Sequence, residues 1–152
     1  MPRYVFLLRA DAQSEAGKDP STEAFEQMHV YNSKIKASGN MLAAEGFGPS
    51  SYGVRLEYPT GPDSQDGTVP KDKIAVKQGP FPCEGENRVI CGFWLIKADN
   101  VDHAVELAKG VPLQGGEIEI RCVQELEDFG DLVPEKMKKE EGEWREKLEN
   151  KA

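Results

Sequence analysis

The segment VICGFWLIKA, from Val89 to Ala98, is the most apolar stretch of the chain and predicts a central β-strand. RYVFLLR, from Arg3 to Arg9, is nearly as apolar and predicts a second central strand. GEIEIRCV, from Gly116 to Val123, alternates between apolar and polar residues, which predicts a last strand with one apolar face. These three strands define the sheet on which the rest of the fold is built.

A β-hairpin is predicted between the first two of these strands. Tyr52 to Tyr58 alternates in polarity, and Lys73 to Lys77 predicts the returning strand. The intervening Pro59 to Pro70 contains three prolines and two glycines, so it predicts a surface loop. Met41 to Glu45 is a short apolar stretch to which we assign no element.

Two helices are predicted by their end signals and their apolar periodicity. The first begins after Ser21, a good N-cap residue, and stops at Gly39. The second begins after Asp99 or Asn100 and stops at Gly110. Their buried faces are predicted to comprise Ala24, Met28, Tyr31 and Ile35 in the first helix and Val101, Ala104, Val105 and Ala108 in the second.

The order strand, helix, hairpin, strand, helix, strand is the split βαβ pattern of ferredoxin-like α+β folds. We therefore expect an antiparallel sheet with two helices on one face, in a domain of residues 1–130 that carries the loop 59–70 as an extension. Residues 131–152 are expected to form an additional C-terminal helix. Its signals are Asp131 as N-cap, Pro134 in the first turn, and a narrow apolar stripe of Met137, Trp144 and Leu148.

The charge of the chain restricts its partners. A formal net charge of −8 without a basic patch predicts no binding to nucleic acid or to an anionic membrane. The three cysteines form no CxxC pair, and the first ten residues are too short and too polar for a signal peptide, so we expect a cytoplasmic protein. Two histidines and the absence of a complete GxGxxG motif predict that no metal or other cofactor is used.

The second face of the predicted sheet requires a cover. Two helices cover one face, and an uncovered face with valine, phenylalanine and tryptophan side chains would be a large apolar patch. A second copy of the chain, packed sheet against sheet, is the simplest cover, and it predicts a homodimer.

Several segments along the chain form an ordered set: the opening YVFLL, Tyr31-Asn32, Ala44 to Ser50, Gly79-Pro80-Phe81, Gly92 to Ile96, Val111-Pro112, Glu117 to Arg121 and Glu127 to Gly130. Taken in this order, they resemble the YCII-related family, whose name-giving motif is DGPF. The resemblance implies a dimeric α+β barrel of ferredoxin-like subunits, similar in fold to small muconolactone-isomerase-like enzymes. For one branch of the family it also implies a His–Asp pair in the cleft between subunits.

The chain departs from this family pattern at two positions. Gln78 stands where the motif has aspartate, which keeps a hydrogen-bonding group but removes an ionisable one. Met28 stands where the other branch has its histidine, so the His–Asp pair does not transfer to this chain.

The residue types suggest a site for a small organic molecule. Glu45, between an apolar stretch and a glycine turn, is a candidate general acid/base, and Gln78 is a candidate hydrogen-bond donor beside it. The candidate ligand-binding residues are Arg121 and Arg55 as carboxylate anchors, Phe81, Trp94 and Tyr31 as aromatic walls, and Glu86.

Two functions agree with these residues. The first is a cofactor-independent isomerase or lyase that transfers protons on a small organic acid or aromatic compound. The second is a non-catalytic, dimeric small-molecule-binding or accessory protein, which the loss of the motif aspartate favours.

Overall fold

The structure is a computed structural model that describes residues 1–60 and 69–149. The elements in chain order are β1 Arg3–Arg9, α1 Ala12–Glu15, α2 Thr22–Ala37, β2 Met41–Gly46, β3 Val54–Glu57, β4 Ala75–Gln78, β5 Ile90–Lys97, α3 Val101–Lys109, β6 Ile118–Cys122 and α4 Glu135–Glu149. Short 3-10 turns lie at Ser50–Tyr52, Lys71–Lys73 and Leu126–Leu132. Most of the loop predicted at 59–70 lies outside the described residues, as does the end of the predicted tail.

A four-stranded antiparallel sheet has the order β2-β5-β1-β6. The two most apolar strands, β1 and β5, lie at its centre, where Phe6 is paired with Trp94 on one side and with Ile120 on the other. This strand order, with α2 and α3 as the crossovers, confirms the predicted ferredoxin-like α+β fold.

The core lies between the sheet and the two helices. Phe6 and Ile96 are fully buried, and Tyr31 and Ile35 of α2 pack in the same cluster with Ala104 of α3. Burying side chains of this size stabilises the fold by about 1.5–3 kcal/mol each.

The ends of the helices agree with the predicted capping signals, whereas two residues of the predicted buried faces are exposed. Ser21 Oγ accepts the Ala24 N–H at 3.2 Å, and Gly39 at the other end of α2 has φ +76°. Ala24 itself is exposed, because the buried face begins one turn later at the half-buried Met28. Val101 is 53% exposed in the first turn of α3, so its predicted burial was also wrong.

Three segments differ from the predicted elements. Met41–Gly46 is an edge strand of the main sheet, with Glu45 opposite Phe93. The predicted hairpin forms as β3 and β4, but as a separate two-stranded sheet, because β2 already occupies the free edge of β5. Residues 12–15, which precede the first predicted helix, form the short helix α1, which the Asp11 and Ser14 side chains cap.

The C-terminal helix α4 begins later than predicted. Asp131 lies in a 3-10 turn, and the Pro134 carbonyl accepts the first helical bonds. An ion-pair network joins this region to β1, since Glu125 binds Arg3 at 2.7 Å and also binds Arg145 of α4. Within the described ranges, no helix is long and apolar enough to cross a membrane.

The face of the sheet opposite α2 and α3 is apolar at its centre. Val5 and Leu7 of β1 are paired with Leu95 and Phe93 of β5, and alternation turns all four away from the core. All four are half-buried in the single chain.

Candidate functional site

Three of the predicted site residues line one cavity. Arg55, Phe81 and Glu86 border a space of about 780 Å³ between the hairpin and the end of the main sheet. We call it the hairpin cavity. Its other lining residues are Arg9, Phe47, Ser50, Gly53, Val54, Pro82, Asn87, Arg88, Val89 and Ile90.

The Gly79-Pro80-Phe81 corner packs directly against the turn at Ser50. The Gly79 N–H donates to the Gly53 carbonyl at 3.0 Å, and the Gly79–Pro80 peptide is cis. A Cβ atom on Gly79 would lie 1.8 Å from the Ser50 carbonyl oxygen. Glycine is therefore required here by the close approach of two backbones.

A hydrogen-bond chain fixes the backbone of Phe81. Ser50 Oγ accepts the Phe81 N–H at 2.8 Å and donates to the Glu15 carboxylate. Glu15 also accepts the Ser50 N–H at 3.1 Å. The corner is thus tied to α1 as well as to the hairpin.

Arg55 is the cation of the hairpin cavity that lacks a carboxylate partner. Its guanidinium carbon lies 4.1 Å from the centre of the Phe81 ring, a cation–π contact. Within the described part of the chain, Arg55 forms no ion pair.

The two other arginines of the cavity are already paired. Arg9 binds Glu119, and its Nη1 donates to the Arg88 carbonyl at 2.9 Å. Arg88 binds Glu117 at 3.2 Å. Among the described residues, Arg9 Nε is buried without a hydrogen-bond partner.

Two more predicted residues, Glu45 and Trp94, line a different cavity of about 230 Å³ beside α2. Trp94 Nε1 donates to Asn32 Oδ1 at 3.0 Å, and Met28 lies on the same lining. Glu45 is exposed, so the burial that would favour it as a general acid/base is not present in the single chain.

Tyr31 belongs to the core. Its hydroxyl donates to the Leu107 carbonyl at 3.1 Å, and its ring makes an edge contact with Trp94 at 6.2 Å between centroids. Burial raises the pKa of Tyr31 to about 12, since the phenolate would be desolvated.

Neither Gln78 nor Arg121 lines the cavity that contains Glu45. Gln78 is exposed on β4, opposite Val54. Arg121 is exposed on β6 and pairs with Glu119 at 3.2 Å. Since β2 and β6 are opposite edges of a four-stranded sheet, Glu45 and Arg121 are separated by about 14 Å of sheet.

Glu15, Ser50 and Asn32 were not among the predicted site residues. Ser50 and Asn32 do lie in segments of the family resemblance, which is the signal that could have selected them. In the described ranges, no group of three or more histidine, cysteine, aspartate or glutamate side chains could hold a metal ion.

The molecule is thus a ferredoxin-like α+β protein with a cation-bearing cavity formed beside a glycine-proline corner. The family model for the YCII-related domain matches residues 2–127, and the chain therefore belongs to this family. No curated protein matches the chain significantly.

Proposed function

We propose that the protein binds a small organic acid with an apolar or aromatic body in the hairpin cavity. The observation that carries this proposal is the Arg55 guanidinium, held over the Phe81 ring without a carboxylate partner in the described structure. A guanidinium binds a carboxylate through two parallel hydrogen bonds, so Arg55 supplies the anchor for the acid group.

The rest of the cavity suits the body of such a ligand. Phe47, Val54 and Ile90 give an apolar wall, and Asn87 adds a neutral polar group. The cavity volume of about 780 Å³ lies in the range of small-molecule sites. Because Arg9 and Arg88 already have acidic partners, we expect the ligand to carry a single carboxylate rather than two.

Arg55 can be tested by calorimetry with benzoate and its neutral analogue benzamide. We expect benzoate to bind more tightly than benzamide, and Arg55→Ala to weaken benzoate about 10- to 100-fold, as for a lost hydrogen bond to a charged group. Arg121→Ala removes another exposed arginine and is the matched control, with less than a two-fold effect. Equal losses in both variants, or equal binding of benzamide, would contradict the proposal.

The second candidate function is cofactor-independent proton transfer, an isomerase or lyase reaction on the bound acid. It is supported by Glu86, a carboxylate that lines the same cavity as Arg55. A carboxylate within reach of a bound acid is positioned to remove or return a proton at carbon. We place non-catalytic binding ahead of the isomerase or lyase function, because the hairpin cavity is not lined by Glu45, Gln78 or Arg121.

Proton transfer can be separated from binding by NMR in D₂O. If the second candidate is correct, a bound carboxylic acid exchanges a carbon-bound proton for deuterium at a rate that depends on the protein. Glu86→Gln then abolishes this exchange while the affinity for benzoate is kept. If the wild-type protein binds a panel of carboxylic acids but exchanges no carbon-bound proton in any of them, the second candidate is wrong and only the binding function is supported.

We also propose that the protein acts as a homodimer in the cytoplasm. The apolar centre of the open sheet face, formed by Val5, Leu7, Phe93 and Leu95, supports a second copy as its cover. The three cysteines are free, which is typical of proteins in a reducing compartment. Light scattering tests the dimer: Leu95→Lys is expected to produce monomers, and a monomeric wild type would contradict it.

A further inference from the structure

The contact between Glu15 and Ser50 lies next to the hairpin cavity but forms no part of the proposed anion anchor. Glu15 is the last residue of α1, and its half-buried carboxylate accepts both the N–H and the hydroxyl of Ser50. The same hydroxyl oxygen accepts the Phe81 N–H at 2.8 Å. These bonds join three segments that are distant in sequence.

We infer that Glu15 and Ser50 are positioning residues for the acid site, acting on the ligand through Phe81 and Arg55. This inference rests on the proposed function. The Phe81 ring is the surface over which the Arg55 guanidinium is held. A change in the Phe81 backbone moves that ring and therefore the anchor for the carboxylate.

The chemistry of the bonded groups determines the direction of the hydrogen bonds that link Phe81, Ser50 and Glu15. A carboxylate only accepts hydrogen bonds, so the Ser50 hydroxyl hydrogen is directed towards Glu15. The lone pairs of the hydroxyl oxygen are then available for the Phe81 N–H. Each bond polarises the next, which strengthens the chain beyond the sum of separate pairs.

Few alternatives are available to hold the corner. Pro80 has no N–H, and the Gly79 N–H is already bound to the Gly53 carbonyl. The Phe81 N–H is therefore the remaining backbone donor of the corner, and Ser50 is its partner. At the other end, α1 is fixed by the reciprocal bonds between Asp11 and Ser14, at 2.8 and 3.0 Å.

The test is benzoate affinity in variants of the two positioning residues. We expect Ser50→Ala and Glu15→Ala each to weaken benzoate about 2- to 10-fold, the effect of about one ordinary net hydrogen bond. Glu15→Gln keeps an acceptor oxygen and is expected to retain most of the affinity. Ser38→Ala is the matched control, because the Ser38 hydroxyl also has two oxygen atoms within hydrogen-bond distance, the Ile35 carbonyl at 2.9 Å and Asn40 Oδ1 at 2.6 Å, but at the end of α2.

A double-mutant cycle distinguishes positioning from a general effect on stability. If Ser50 acts through Arg55, Ser50→Ala causes no further loss of affinity in the Arg55→Ala background. Additive losses in affinity would overturn the inference, as would unchanged affinity in both single variants. If Ser50→Ala does not fold, the same cycle is performed with Glu15→Ala.

The failure of this inference differs from the failure of the proposed function. If the wild type does not bind benzoate, or Arg55→Ala has no effect, the proposed acid site is wrong. If Arg55→Ala weakens benzoate while the Glu15 and Ser50 variants do not, the acid site stands and the positioning role is wrong.

Discussion

The helix-covered face of the main sheet and the β3–β4 hairpin are both antiparallel β-structure, yet they differ in burial. Phe6 and Ile96 in the main sheet have no exposed surface, whereas Leu56 and Val76 in the hairpin are 51% and 59% exposed. The main sheet has four paired strands and two helices against one face. The hairpin has two strands of four residues each.

This difference in burial indicates that the main sheet determines the stability of the protein, whereas the hairpin region determines ligand binding. A two-stranded hairpin is marginally stable alone, so the hairpin depends on contacts such as the Gly79 corner. The main sheet supplies the buried apolar area that stabilises the fold. We expect substitutions in the main sheet to change the free energy of unfolding, and substitutions around the hairpin to change ligand affinity more than stability.

Ile96→Ala should have the largest effect on stability. The side chain is fully buried, and its truncation is expected to lower the free energy of unfolding by about 2–5 kcal/mol. Leu56→Ala is the hairpin counterpart, with an expected change within about 0.5 kcal/mol. Urea denaturation measures both values. A loss at Leu56 as large as that at Ile96 would mean that the hairpin is buried in the assembled protein, and the comparison would fail.

Gly79→Ala tests the junction between the two regions. The added Cβ would lie 1.8 Å from the Ser50 carbonyl oxygen, so the corner must move, at a cost of about 1–3 kcal/mol. We also expect weaker benzoate binding, because Phe81 moves with the corner.

Gly142→Ala is the control for this change. Among the described residues, no atom beyond its chain neighbours and the backbone of its own helix lies within 4 Å of a Cβ on Gly142, which is in α4. Its replacement is expected to stabilise the helix by up to about 1 kcal/mol. Thermal unfolding should therefore show opposite signs for the two glycines.

Tyr31→Phe and Tyr52→Phe compare the core under the main sheet with the hairpin region by the loss of a single hydroxyl group. It leaves the Leu107 carbonyl without its side-chain donor, and we expect a loss of about 1 kcal/mol. Tyr52→Phe, at an 88% exposed position beside the hairpin, should have no measurable effect on unfolding.

Tyr31 also gives the main sheet a specific dependence on alkaline pH. Its pKa is raised from 10.0 to about 12, so the unfolded chain ionises first. The stability from neutral Tyr31 is complete below pH 10 and is lost as the pH rises through about 12. Tyr31→Phe should remove this part of the decline, and an unchanged decline would show that other groups cause it.

Glu125→Gln should have the smallest effect on stability, which is present above pH 4.5 and disappears at acid pH. The hydrogen bond from Arg3 holds the pKa of Glu125 below its ordinary value of 4.5. The stability it contributes is therefore present above pH 4.5 and is lost as the pH falls through the lower, folded-state pKa. Urea unfolding at several acid pH values should show a weaker dependence in the variant. Glu106→Gln, in the exposed pair with Lys109, is the control and should leave the dependence unchanged.

Much of the main sheet could be predicted from local sequence. The continuous apolar runs at β1 and β5 identified the central strands, and Ser21 and Gly39 marked the ends of α2. Strand β2 was missed, because a run as short as Met41 to Glu45 has no periodicity that separates strand from helix. The hairpin residues were identified, but their separation from the main sheet depends on which strand occupies the edge of β5.

The candidate site was less predictable than the fold. Residue type selected Arg55, Phe81 and Glu86, which share a cavity, but it also selected Tyr31, which lies in the core. Ser50 and Glu15 are 35 residues apart, and serine and glutamate are common on surfaces. No pattern in the local sequence predicts a contact between two such residues.

The sequence alone determined the strands β1, β5 and β6, the ends of the two crossover helices and the resemblance to the YCII-related family. It also determined that the corner lacks the ionisable aspartate, because Gln78 stands there. Only the tertiary structure decided that the Gly79-Pro80-Phe81 corner packs on Ser50 and that Arg55, alone among the three arginines of the hairpin cavity, has no carboxylate partner among the described residues. Apolar periodicity and capping are local properties of the chain, whereas hydrogen-bond partners and unpaired charges depend on segments brought together by folding.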